Sequence, residues 1–237
     1  MNLFLIILTS GALIILIFAL KMSNEAVKQL PTITPDSAIF AFDINGVICS
    51  VKLGEVVAFI WKEFTHTRFA FIMLNPLFWP LLFSIIRKQL NTEYECDMLI
   101  KRFPILAPLK KIVLKILTTQ KLDQSIIECI KKLKSDGYQI FALSNIWPTA
   151  LEELRKKHPQ LDMCFVDYFI PNEIERHYKP QLKFYEDFKT YITNKVGPKE
   201  IIFFDDRSEN VRAANRVGLY AYSNEYIKKI IDQVVNR

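Results

Sequence analysis

Apolar runs alternate with amphipathic stretches along most of this chain. Residues 38–42 are apolar throughout, which suits a strand covered on both faces. In residues 125–135, Ile126, Ile127, Ile130 and Leu133 recur at helical spacing, with Lys131, Lys132 and Lys134 between them. Asp136-Gly137 ends that helix, and residues 138–143 form a second apolar strand. A helix is predicted over residues 148–157, with Pro148 in its first turn, where proline is tolerated. There follow a strand at 165–170, a helix at 182–194, a strand at 201–204 and a helix at 209–217 closed by Gly218. A short strand at 219–222 and a helix at 225–235 complete the pattern. Strand–helix alternation implies an α/β fold with a parallel sheet covered by helices. Right-handed crossovers bring its strand ends to one edge.

Two segments depart from this rhythm. Residues 2–20 carry no charge and are rich in Leu, Ile and Phe; that length matches a bilayer-spanning helix. A cleaved signal peptide would want a basic start and a small-residue cleavage site, and neither is present. A retained transmembrane anchor over residues 1–21 is therefore expected, followed by a polar linker over 22–36 with Pro31 and Pro35. Lys21 and Lys28 flank the span on its C-terminal side. The positive-inside tendency then gives a single-pass protein with its soluble domain in the cytoplasm. The second segment, residues 51–119, is helical in pattern. It includes an uncharged run at 69–86 broken by Pro76 and Pro80. That run reads as a buried helix-turn-helix or as an apolar surface dipping into the bilayer interface.

The chain has 237 residues, 51% hydrophobic and 24% charged, enough for one well-filled domain with an insertion. A net charge of +6 favours anionic substrates or an anionic membrane face. No Arg/Lys tract with interleaved aromatics occurs, so nucleic acid is not an expected partner. Cys49, Cys96, Cys129 and Cys164 are too scattered for a metal or disulfide framework and read as free thiols. His66, His158 and His177 lack metal-ligand spacing and read as surface or packing residues.

The strand ends carry the chemistry. The first delivers Asp43 and Asn45, the second Ser144 and Asn145, and the strand at 201–204 delivers Asp205 and Asp206. Lys179, in Tyr178-Lys179-Pro180, lies just before a helix. Gathered at one sheet edge, these residues make a carboxylate cluster beside a hydroxyl, amides and an ammonium. Crowded carboxylates call for a cation, and hard oxygen ligands favour Mg²⁺. A Mg²⁺ site beside a lysine and a hydroxyl accommodates a phosphoryl group.

In this order the residues resemble the four motifs of the haloacid dehalogenase-like (HAD) superfamily. They are Phe42-Asp43-Ile44-Asn45-Gly46-Val47; Ala142-Leu143-Ser144-Asn145; Lys179-Pro180 with Phe184-Tyr185; and Phe203-Phe204-Asp205-Asp206 with Glu209-Asn210-Val211. The resemblance implies a Rossmann-like core over 37–50 and 120–237, with a helical C1 cap over 51–119. It implies that Asp43 is the nucleophile, forming an aspartyl-phosphate. Mg²⁺ would be held by Asp43, the Asn45 carbonyl and Asp206, with Asp205 nearby. Ser144 and Asn145 would bind and orient the phosphoryl group. Lys179 would balance charge on Asp43 and the substrate, and Asn210 would support the metal-side loop.

One position departs from the family. Phosphatases of this kind usually carry Asp where this chain has Asn45, and that Asp acts as general acid and base. An amide cannot exchange a proton that way, and such a group typically contributes about 10²–10⁴ in rate. The expected function is a Mg²⁺-dependent phosphomonoesterase acting on a phosphorylated small molecule or membrane-associated phosphoester. The alternative is a catalytically weakened HAD-fold binding or scaffold protein.

Overall fold

The computed structural model describes residues 30–50, 92–104, 107–172 and 177–235. The expected anchor (1–21), the uncharged run (69–86), His66 and parts of the linker and cap lie outside the described residues. Among the described residues, no helix is long and apolar enough to cross a membrane.

The elements in chain order are β1 (Ala38–Phe42), β2 (Cys49–Ser50), α1 (Glu93–Arg102), α2 (Ala107–Thr118), β3 (Lys121–Leu122), α3 (Gln124–Ser135), β4 (Gln139–Leu143), α4 (Pro148–Lys157) and α5 (Gln160–Cys164). They continue with β5 (Asp167–Phe169), α6 (Leu182–Val196), β6 (Glu200–Asp205), α7 (Ser208–Arg216), β7 (Tyr220–Ser223) and α8 (Ile227–Val235), the last entered through a 3₁₀ turn at Asn224–Tyr226. Five strands form one parallel sheet in the order β5-β4-β1-β6-β7. The expected α/β Rossmann-like core is present.

Strand β1 is central, and all its residues are buried. Its alternating side chains feed two cores. Phe40 and Phe42 pack with Ile127, Ile130 and Leu133 of α3 and Ile230 and Ile231 of α8. Ile39 and Ala41 face Phe184 and Phe188 of α6 and Ala213 of α7. A strand that must satisfy helices on both sides has no polar position to spare, which explains its unbroken apolar run.

Helix starts follow local chemistry. Asp123 caps α3, its side chain accepting from the amides of Ser125 (2.9 Å) and Ile126 (3.4 Å). Thr92 caps α1 by accepting from the Glu95 amide at 3.1 Å, and Pro148 opens α4. The expected strand at 165–170 shortens to Asp167–Phe169; Phe165 instead caps the short helix α5, its amide donating to the Leu161 carbonyl.

Helices α1 and α2 fall within residues 51–119, the segment expected to form the cap. Cys96 is buried, and Val113, Leu114 and Leu117 pack against the core. Thr149 at the start of α4 donates its hydroxyl to Glu93 Oε2 at 2.8 Å. The return to the core runs through β3, which pairs antiparallel with β2 in the register Cys49–Leu122 and Ser50–Lys121. Tyr138 donates its hydroxyl to the Ile33 carbonyl at 3.3 Å, and Ile33 is itself buried, so the chain is attached to the core before β1 begins.

Candidate active site

The carboxyl edges of β1, β4 and β6 meet at one point, as expected of ligand sites in open α/β sheets. Asp43 follows β1, and its amide continues the ladder by donating to the Phe204 carbonyl at 2.9 Å. Ser144 follows β4, and Asp205 ends β6. All three side chains are buried.

Lys179 ties the strands together. Its ammonium lies 2.9 Å from Asp43 Oδ1 and 2.7 Å from Asp205 Oδ2, and its side chain is 1% exposed. It stands 5.3 Å from the centre of the Phe203 ring. Two carboxylates hold an ammonium that burial alone would disfavour. Burial lowers the Lys179 pKa, but Asp205 and Asp43 together outweigh it and the net shift is upward. The loop that carries Lys179 is clamped by Asn145, whose Nδ2 donates to the Lys179 carbonyl (2.8 Å) and whose Oδ1 accepts from the Lys179 amide (2.9 Å). The Lys179–Pro180 peptide is cis. Asn145 was expected to orient a phosphoryl group; in the fold it spends both amide ends on the lysine backbone.

Asp205 is equally committed. Its Oδ1 accepts from the Arg207 amide and from Asn210 Nδ2, each at 2.9 Å, and its Oδ2 meets Lys179. Asn210 is held in turn by Tyr185, whose hydroxyl donates to the Asn210 carbonyl at 3.1 Å. Asp206 lies beside this cluster and is exposed. Gly46 makes room for it. Gly46 has φ +90, and a methyl group there would lie 2.6 Å from Asp206 Cγ.

Asp43 accepts from the Ile44 amide at 2.8 Å and from the Ser144 hydroxyl. Burial raises its pKa to about 6 against the pull of Lys179, and Asp205 adds to the rise. Asp206 is also raised, by desolvation and then by Asp205. The Cys49 thiol is pushed up to about 12 by burial and by Asp43, so it stays neutral beside the carboxylates.

Oxygens of Asp43, Asp205 and Asp206 all lie within 4.8 Å of one another. Lys179 answers one of these negative charges. The remainder, on hard oxygen donors, fits a divalent cation of the Mg²⁺ class. Asp206 offers the least encumbered donors, since Asp43 Oδ1 is engaged by Lys179 and the Ile44 amide.

Asn45 lies in the turn after Asp43. Its Oδ1 accepts from Gln120 Nε2 at 2.7 Å. Gln120, 2% exposed, had no part in the sequence reading. It sits just ahead of β3 in a segment without motif character, and only strand pairing brings it to Asn45. His177 and His158 stand apart from the carboxylate cluster: His177 Nδ1 meets Asp187 Oδ2 at 2.7 Å, and His158 Nε2 lies 3.2 Å from the Gln120 carbonyl. The four cysteines are free and buried.

A family model described as haloacid dehalogenase-like hydrolase matches residues 38–218. The chain belongs to the haloacid dehalogenase-like hydrolases. This HAD-like hydrolase is 32% identical over 97 residues to the sesquiterpene phosphatase astK of Aspergillus oryzae, a match covering 41% of this chain and 47% of that protein. The chain therefore matches about half the length of that curated relative. Among solved structures, a HAD phosphatase from Thermococcus onnurineus superposes with a TM-score of 0.60 at 16% identity, covering 82% of this chain and 97% of that one. A HAD family enzyme from Bacteroides thetaiotaomicron, solved with magnesium and inorganic phosphate, gives 0.54 at 17% identity, covering 79% and 93%. At these identities the structures establish a shared fold.

Proposed function

We propose that this HAD-like hydrolase is a Mg²⁺-dependent phosphomonoesterase in which Asp43 is the nucleophile. The observation that carries this reading is the buried Asp43–Lys179–Asp205 triad at the end of the central strand, with Asp206 beside it. Lys179 keeps Asp43 fixed in orientation and counters charge on an incoming phosphoryl group. Asp43 attacks phosphorus, and the bond to the leaving-group oxygen breaks. Water then attacks the aspartyl-phosphate at phosphorus, releasing phosphate and restoring the carboxylate. Ser144 serves the phosphoryl oxygens. Asn145 acts one step back, by holding the Lys179 loop. Asp206, Asp43 and the Asn45 carbonyl hold the cation, and Asp205 supports the site through Lys179 and Asn210. When bound, the cation supplies charge neutralisation and draws the neighbouring carboxyls into their ionised form.

Residues 1–21 form the single-pass membrane anchor, 22–36 the linker and 51–119 the cap over the core of 37–50 and 120–237. The uncharged residues 2–20 support the anchor, and Lys21 and Lys28 support a cytoplasmic catalytic domain. The substrate is a phosphorylated small molecule or a phosphoester at the membrane surface. Similarity to a sesquiterpene phosphatase supports phosphorylated isoprenoids as the first class to try.

The experiment is turnover of a phosphoester panel by the purified chain, with and without Mg²⁺. Mg²⁺-dependent release of phosphate that disappears in Asp43→Asn supports the reading. Equal rates in wild type and variant remove it. They would leave the second reading, a phosphate-binding protein on an enzyme fold, which Asn45 in place of a proton carrier favours.

A further inference from the structure

Gln120 stands where the inserted helices hand the chain back to the core. Its backbone carbonyl is pinned from α4, by His158 Nε2 at 3.2 Å and Lys157 Nζ at 3.5 Å. The β2–β3 pairing sets its distance from the turn after Asp43, and Asp123, just past β3, donates its amide to the Ile48 carbonyl at 2.8 Å. From that fixed position Nε2 donates to Asn45 Oδ1 at 2.7 Å. The other end of the same amide, Oε1, is buried and has no hydrogen-bond partner among the described residues.

Two consequences follow for the amide of Asn45. Its oxygen is occupied, so the group it can turn toward a ligand is Nδ2, a donor. Beside it, Gln120 Oε1 is an acceptor lacking a donor. A buried acceptor left in that state is destabilising unless a water or ligand group completes it.

We propose that Gln120 is the positioning residue for Asn45, and that the two amides divide the hydrogen bonding of the missing acid/base carboxyl. Asn45 Nδ2 donates to the leaving-group oxygen as charge develops on it. Gln120 Oε1 accepts from the water that later attacks the aspartyl-phosphate. Neither amide transfers a proton: the leaving group takes its proton from solvent, and the water gives its proton to solvent. The site therefore takes substrates whose leaving group departs well as an anion, such as aryl phosphates and phosphoric anhydrides (isoprenyl diphosphates among them), and handles alkyl monophosphates, isoprenyl ones included, poorly. This inference rests on the phosphomonoesterase reading for its chemistry. The positioning itself is testable without turnover.

The test is a double-mutant cycle of Gln120→Leu and Asn45→Ala in the full chain with Mg²⁺. It is read by kcat and KM on aryl phosphates of graded leaving-group basicity, and by calorimetric binding of tungstate. Gln120→Leu is expected to lower kcat about tenfold, the scale of one hydrogen bond to developing charge, with KM little changed. The loss should grow with leaving-group basicity. In the Asn45→Ala background the same substitution should add no loss that grows with leaving-group basicity, because Gln120 then has no Asn45 amide to direct and only its contact to the attacking water remains. Tungstate affinity should show the same coupling. Gln120→Glu keeps the volume and polarity of the site, but its carboxylate only accepts. It turns the Asn45 amide around and is expected to lose kcat as Gln120→Leu does. Equal losses in both Asn45 backgrounds, or full activity in Gln120→Glu, overturn the proposal. Coupled tungstate binding in a chain that turns over no phosphoester would sink the phosphomonoesterase reading and leave the positioning role standing.

Discussion

Lys179 Nζ lies 2.9 Å from Asp43 Oδ1, and both side chains are closed off from solvent. A buried ammonium survives only because two carboxylates hold it, and the carboxylates lie close together only because the ammonium is between them. Replacing one member leaves uncompensated charge in the core. Lys179→Met is expected to lose about 3–5 kcal/mol of stability, the usual result of removing one partner from a buried pair. Phosphoester turnover should fall below detection. Urea unfolding of both proteins at neutral pH measures the first effect, and a stability within 1 kcal/mol of wild type (about the error of such comparisons) would contradict it.

The raised pKa of Asp43 predicts a pH dependence in the absence of divalent cation. The carboxyl titrates near 6 in the fold and near its ordinary value in the unfolded chain. Its contribution to stability is therefore fully present below about pH 4 and is lost as pH rises through 6, because the unfolded chain ionises first. Asp123, Asp167 and Asp187 are shifted downward and act in the opposite sense, so total stability does not isolate the effect. The difference between wild type and Asp43→Asn does. Between pH 4 and pH 7 in EDTA the variant should gain on wild type, and adding Mg²⁺ at pH 7 should stabilise wild type more than the variant. Melting curves across that range are the check.

Asn45 is the position at which chemistry is limited. Asn45→Asp supplies a group able to carry a proton, and Gln120 Nε2 is already placed to hold its carboxylate. Turnover of alkyl phosphates should rise by about 10²-fold or more, within the range general acid–base catalysis contributes. Aryl phosphates with good leaving groups should gain less. Initial rates on the two classes decide it, and equal gains on both would point to a cause other than proton transfer.

Gly46 tests the cation site from its other side. The positive φ disfavours any residue with a Cβ, and the Cβ itself would press on Asp206. Gly46→Ala is expected to displace Asp206 and raise the Mg²⁺ concentration needed for half-maximal activity by about tenfold, as losing one good ligand contact does. Activity at saturating Mg²⁺ should be affected less. A Mg²⁺ titration of rate, alongside a melting curve as a folding control, provides the comparison.

Much of the fold can be read locally. Helix α3 announces itself by Ile126, Ile127, Ile130 and Leu133 on one face and by Asp123 at its cap. The apolar runs of β1, β4 and β6 mark strands covered on both faces. The short elements are different. A two-residue strand such as Lys121–Leu122 has no periodicity, and its identity lies in its partner across Cys49–Ser50. Helix α5 was not legible for the same reason: five residues are too few to show a period.

The sequence by itself determined the chemistry available. It placed a carboxylate, a hydroxyl, a lysine and an acid pair at strand ends and a loop, in the order of the haloacid dehalogenase-like motifs. Those features are local, because an apolar run and its terminal residue are neighbours in the chain. The tertiary structure decided which of these groups meet and in what state. Asn145 turned to the Lys179 backbone, Asp205 to Lys179 and Asn210, and Asp206 came to lie against Gly46. It also brought Gln120 to Asn45, a contact between segments far apart in the chain. Hydrogen bonds and pKa shifts act over a few ångströms, and for residues this distant in sequence only strand pairing and packing set distances on that scale.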